Sequence, residues 1–135
     1  DIASHPMNES TFAGSLANEE MGVPGVSPYL AFGKTYGKMT GMPVGLIQTS
    51  LGGSPMERWN PKDGDLYLNM LDKIHQTGGK YAGVLWYQGC SDTNPGPAEK
   101  YLEHFREYVE ATRKELGYEI PVFYHAAEQT DQWNQ

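Results

Sequence analysis

Apolar positions along the chain fall into two kinds of pattern. Tyr29, Phe32, Tyr36 and Met39 recur at helical spacing and predict a helix over about 28–40. Ser27 suits its cap, Pro28 its first position and Gly41 its end. Gly33 and Gly37 weaken that helix unless their missing side chains permit close packing. Leu66, Met70, Leu71 and Ile74 predict a second helix over 66–76, closed near Gly78-Gly79. Asn94-Pro95-Gly96-Pro97 opens a third, with Tyr101, Phe105, Tyr108, Val109 and Leu116 along one side. Arg106–Glu110 and Glu110–Lys114 sit four apart on its wet side, and Gly117 suits its end.

The second pattern is the short continuous apolar run. Pro43–Thr49, Ala82–Tyr87 and Ile120–Tyr124 each read as a buried strand. Pro61 to Asp65 is a turn-rich loop. Residues 1–27 show no periodicity and read as an irregular N-terminal segment without a signal-peptide pattern. The order is helix, strand, helix, strand, helix, strand. Apolar strands spaced by helices indicate an α/β fold, its parallel strands covered on both faces and joined by right-handed crossovers.

Composition narrows the classes. The 135 residues suit one domain of ordinary size. No apolar run reaches the roughly 18 residues that a membrane span needs. Sixteen glycines and nine prolines carry no collagen period. Three Trp and nine Tyr argue against disorder. A single cysteine excludes an internal disulfide framework. The net charge of −7, with no basic stripe, disfavours nucleic acid and anionic membranes as partners.

In open parallel sheets the chemistry sits beyond the carboxyl ends of the strands. Those ends are Thr49 to Ser54, Gln88 to Asp92, and His125 with Glu128-Gln129. Ser50, Ser54 and Ser91 lie there, but none stands in G-x-S-x-G, and each reads first as a turn or cap residue. Asp72-Lys-Ile-His75 spells a D-x-x-H inside a predicted surface helix and reads as coincidence. His125 follows the third strand at this functional edge and is a candidate ligand contact; His5 lies in the irregular segment; His104 is on the long helix and reads as solvated. No metal, dinucleotide or phosphate-loop signature is present, so no cofactor is expected.

Three strings are more specific. Pro43-Val-Gly-Leu-Ile-Gln-x-Ser50, Gly52-Gly53-Ser54-Pro55-Met56-Glu57-Arg58-Trp59 and Gly83-Val-Leu-Trp-Tyr-Gln-Gly89-x-Ser91-Asp92 resemble blocks of the sialate O-acetylesterase-like carbohydrate esterases of the SGNH hydrolase superfamily. The resemblance covers about residues 26–126. It implies a flavodoxin-like three-layer α/β/α fold and a serine ester hydrolase that removes acetyl groups from sugars. The implied partner is an acetylated carbohydrate, and a secreted or periplasmic location is favoured.

The resemblance also assigns roles. Gly53 would supply an oxyanion N–H, and Gln88 and Gly89 would line the same hole, with Gln88 or Asp92 as its side-chain member. Glu57 and Trp59 would shape the pocket or hold its loop, although Trp59 and Trp86 read first as packing residues. Cys90 stands where the family usually has Glu, which removes a carboxylate from the site edge. The family's Gly-Gln-Ser-Asn-type nucleophile block is absent, and no D-x-x-H block stands near the far end. The chain is therefore expected to be the central portion of one larger hydrolase domain, partnered by its remaining segments and not competent alone. The alternatives are an esterase-like module that binds carbohydrate without cleaving it, and a plain structural α/β domain.

Overall fold

A computed structural model of the chain describes residues 28–125. The irregular segment over 1–27, with Ser27 and His5, lies outside them, as do Glu128 and Gln129. The described elements are α1 (Pro28–Thr40), α2 (Asp65–Thr77), β1 (Val84–Trp86), α3 (Pro95–Leu116) and β2 (Val122–Tyr124), with short 3₁₀ turns at Met56–Trp59 and Cys90–Asp92. All three predicted helices form within a residue or two of their expected bounds. The described chain divides into two compact units, one holding 28–52 and 68–79, the other 53–67 and 80–125.

In the first unit α1 ends as its sequence dictates, with Gly41 at φ +68° and its N–H donating to the Gly37 carbonyl at 2.9 Å. The two helix glycines do permit close approach. A methyl group at Gly33 would stand 3.2 Å from Leu46 Cδ1, and one at Gly37 would stand 3.2 Å from the Met42 carbonyl oxygen. The run over 43–49 thus packs beside the helix and carries no strand pairing, contrary to the sequence expectation. A strand is defined by its ladder of backbone hydrogen bonds, and no such ladder joins this run to another described segment. Phe32 and Tyr36 stack at 5.6 Å, yet no residue of α1 is fully buried.

In the second unit β1 and β2 form a parallel pair, with Val84, Leu85 and Trp86 opposite Val122, Phe123 and Tyr124. Side chains alternate across a strand. Trp86 and Tyr124 meet the α3 ring of Phe105 at 5.6 and 6.3 Å, and Trp86 meets Tyr108 at 4.4 Å. Leu85 and Phe123 alternate to the opposite face, where Phe123 is exposed. The expectation of strands covered on both faces therefore holds only on the α3 side among the described residues.

Trp59, Leu66, Tyr67 and Ile120 complete this unit's buried core with Met56, Trp86 and Tyr108. Helix α3 closes on Gly117, at φ +77°, whose N–H donates to the Arg113 carbonyl at 2.9 Å. Just beyond, Arg113 pairs with Glu119 at 3.1 Å, and its Nε donates to the Ile120 carbonyl at 3.3 Å. The Tyr118 hydroxyl accepts from the Tyr81 N–H at 2.8 Å. These bonds anchor the segments leading into β1 and β2, and so fix where the two strands end.

Candidate active site

Strand β1 runs from Trp86 through Tyr87 into Gln88-Gly89, and β2 runs from Tyr124 into His125. The His125 N–H donates to the Trp86 carbonyl at 3.0 Å and continues the ladder by one residue. Its ring lies 5.2 Å from that of Tyr87, and both side chains are exposed. After Gln88 the chain turns sharply. Gly89 takes φ +145°, a conformation that a Cβ would strain, and the Asp92 N–H donates to its carbonyl at 3.0 Å to close the 3₁₀ turn. That turn buries Asp92 and leaves Cys90 exposed.

The second loop begins at Gly53, at φ +71°, and leads through Ser54-Pro55 into the 3₁₀ turn Met56–Trp59. Trp59 is 5% exposed, its ring edge-on to Trp86 at 5.4 Å and to Tyr108 at 6.4 Å. Its indole N–H donates to Ser54 Oγ at 3.2 Å. Trp59 therefore holds the loop from beneath and presents no ring face to solvent, as packing predicts. Glu57 is exposed on the outer side of the turn. Arg58 reaches across to Asp65, with Nε donating to Oδ1 at 3.0 Å and Nη2 to Oδ2 at 2.5 Å. That guanidinium holds the Asp65 carboxyl below the usual carboxylate range.

Side chains from the Gln88 loop grip the backbone of the Gly53 loop. Gln88 Nε2 donates to the Ser54 carbonyl at 3.0 Å and to Asp92 Oδ2 at 2.5 Å. The Asp92 carboxylate also accepts from the Met56 N–H, at 2.9 Å to Oδ2 and 3.2 Å to Oδ1. Both hydrogens of the Gln88 amide are thus engaged, and its buried Oε1 has no partner among the described residues. The Tyr101 hydroxyl donates to the Gln88 carbonyl at 3.0 Å and accepts from Trp86 Nε1 at 3.3 Å. Burial raises the Tyr101 hydroxyl above its ordinary value; the Trp86 bond opposes this, and the nearby Asp92 and Cys90 reinforce it.

The structure thus brings Gly53, Gln88, Gly89, Asp92 and Trp59 into one connected set, with Glu57, Cys90 and His125 exposed around the same loops and strand ends. Neither Gln88 nor Asp92 offers a free donor in this arrangement, because the amide hydrogens are spent and the carboxylate accepts. Ser54, considered as a nucleophile, has a buried hydroxyl that accepts from Trp59. In the D-x-x-H string, Asp72 accepts from Gln76 Nε2 at 2.7 Å on exposed α2 surface, a local helix contact. His104 is half-buried and not fully solvated. Tyr101 was legible only as part of an apolar helix stripe, and its hydroxyl was the signal of a polar role. Among the described residues no three His, Cys, Asp or Glu side chains gather to hold a metal, and no helix is long and apolar enough to cross a membrane.

Comparison with known proteins agrees with these blocks. The family of carbohydrate esterases described as sialic acid-specific acetylesterases matches over residues 1–135. The chain belongs to this family. Its fold is the α/β fold of SGNH-like esterases. A protein from Arabidopsis thaliana, solved by X-ray crystallography, superposes with a TM-score of 0.69 at 28% identity, over 76% of this chain and 44% of its own. A carbohydrate acetylesterase from Xanthomonas citri superposes with a TM-score of 0.60 at 28% identity, over 69% of this chain and 24% of its own. The chain thus spans less than half the length of either structure. No curated protein matches the chain.

Proposed function

We propose that this chain is the central part of a carbohydrate O-acetylesterase domain, which hydrolyses acetyl esters on a sugar or polysaccharide. Family membership sets the reaction class, and one observation carries the site: the Gln88 and Asp92 side chains fasten the Gly53 loop beside the carboxyl end of β1. In acyl transfer a serine oxygen attacks the ester carbonyl, and the resulting oxyanion needs fixed N–H donors. The Gly53 N–H, presented from a left-handed glycine, serves as such a donor in this reading, and the Gln88-Gly89 turn forms the adjoining wall. Each such donor is worth about 10²–10³ in kcat. In this reading the serine nucleophile and its Asp/His pair, whose blocks this sequence does not contain, are supplied by other segments of the domain. Glu57, Cys90 and His125 rim the site toward the substrate.

The intact protein is expected to release acetate from nitrophenyl acetate and from acetylated sugars. Absence of hydrolysis by a folded, intact preparation would overturn this reading. Cys90, in the place of the family's usual Glu, favours a second one: a module that binds carbohydrate without cleaving it. Calorimetric binding of an acetylated oligosaccharide with zero turnover identifies that case.

A further inference from the structure

We infer that Asp92 is a positioning residue whose side-chain carboxylate sets the Gly53–Met56 loop for catalysis. This rests on the esterase reading above. The geometry is specific. Asp92 Oδ2 takes hydrogens from Gln88 Nε2 and the Met56 N–H together, while Oδ1 shares the Met56 hydrogen. The same Gln88 nitrogen gives its other hydrogen to the Ser54 carbonyl. One carboxylate thus fixes two backbone groups on either side of Pro55, one directly and one through the amide. Ser54 follows Gly53 directly and Met56 lies three residues on, so together they govern how the Gly53 peptide is presented.

The Met56 N–H lies within reach of both carboxylate oxygens, so only a side chain without a donor satisfies this arrangement in full. An asparagine at this position has one acceptor and one donor. If its oxygen takes the place of Oδ1, its NH₂ takes that of Oδ2 and confronts both the Gln88 NH₂ and the Met56 N–H. If its oxygen takes the place of Oδ2, that oxygen can still accept from both groups, but its NH₂ then stands 3.2 Å from the Met56 nitrogen, donor against donor. Either orientation sets a donor against the Met56 N–H and weakens its hold on the loop, although the side chain keeps its size. Asp92 is 6% exposed, so water does not readily make good the weakened contact. The Gln88 amide cannot choose its own orientation either. It is set by two acceptors on its nitrogen side, the Ser54 carbonyl and Asp92.

The test uses the intact protein, with kcat and KM for an acetyl ester scaled to the folded fraction. Amide hydrogen exchange at Met56 is measured beside them. Asp92→Asn is expected to lower kcat by about tenfold to a hundredfold, the loss typical of a donor misplaced by about 1 Å. KM stays within about twofold, and Met56 exchange accelerates at least tenfold. Asp72→Asn, which removes an exposed carboxylate on α2, leaves all three unchanged. Should Asp92→Asn not fold, Gln88→Leu reads the other arm: kcat falls while Met56 protection by Asp92 is retained. Wild-type turnover together with unchanged kcat in the folded variant overturns the inference. Unchanged Met56 exchange overturns the clamp itself. A wild-type protein without any turnover overturns the esterase reading instead, and the exchange measurement still reports on the clamp.

Discussion

The Tyr101 hydroxyl, on α3, donates to the Gln88 carbonyl oxygen at 3.0 Å and so ties the long helix to the turn that follows β1. Trp86 Nε1 donates to the same hydroxyl at 3.3 Å. Tyr101→Phe removes both bonds and leaves a half-buried N–H and C=O unpaired. The expected cost is about 1–3 kcal/mol, read by urea unfolding with an unchanged slope. If the bond also steadies the Gln88 turn, esterase activity of the intact variant falls as well.

The same hydroxyl predicts an alkaline response. Burial, the largest influence, raises it above the ordinary tyrosine value of about 10. A raised folded-state value stabilises below the unfolded value, and that stabilisation is lost as pH rises through the folded one. The stability difference between wild type and Tyr101→Phe should therefore be constant up to about pH 10 and shrink above it. A difference that grows with alkaline pH would contradict the buried, bonded hydroxyl.

Arg58 and Asp65 predict the acid side. The Arg58 bond lowers the Asp65 carboxyl. A lowered folded-state value gives stability above the unfolded value of about 3.9, lost as pH falls through the folded one. The Asp65 side chain is 48% exposed, so the pair contributes about 0.2–1 kcal/mol and weakens with salt. Asp65→Asn should be less stable than wild type at neutral pH and equal to it near pH 2, by unfolding curves at low ionic strength.

Two glycines should respond very unequally to the same change. A methyl group at Gly64 would lie 2.6 Å from the Arg58 carbonyl and from Asn60 backbone atoms, which cannot move independently of the turn. Gly64→Ala should cost about 3 kcal/mol or more. At Gly83 the nearest atom, 2.9 Å away, is the edge of the exposed Phe123 ring, which can swing aside, and the nearest backbone atom, the Pro121 carbonyl oxygen, is 3.3 Å away, where a shift of a few tenths of an ångström suffices. Gly83→Ala should stay within about 1 kcal/mol. Thermal unfolding of the two variants checks the ordering.

Gly53→Ala isolates backbone conformation, because nothing lies within 4 Å of an added methyl group and φ is +71°. The left-handed penalty is about 1–2 kcal/mol. Where the loop escapes that penalty by rotating, the Gly53 N–H turns with it. In the intact protein, kcat should fall by tenfold or more with KM nearly constant, the pattern of an interaction made only in the transition state.

The sequence by itself determined the three helices. Their boundaries follow from local chemistry: Pro28 and Pro95 at the first turns, Gly41 and Gly117 in the left-handed positions at the ends. It also determined the family, because the blocks at 52–59 and 83–92 are long and unusual, and it pointed to the loops that the structure joins. It did not determine which apolar run becomes a strand. Residues 82–87 and 43–49 look alike in composition, but among the described residues only the former makes ladder bonds, with Val122–Tyr124, because pairing depends on a partner distant in the chain. Nor did it determine what the polar residues do. Gln88 and Asp92 read as groups facing a ligand. The tertiary structure turns their donors and acceptors onto Ser54 and Met56, 34 and 36 residues away along the chain. A hydrogen bond is decided by distance and direction within a few tenths of an ångström, and only the folded chain sets those.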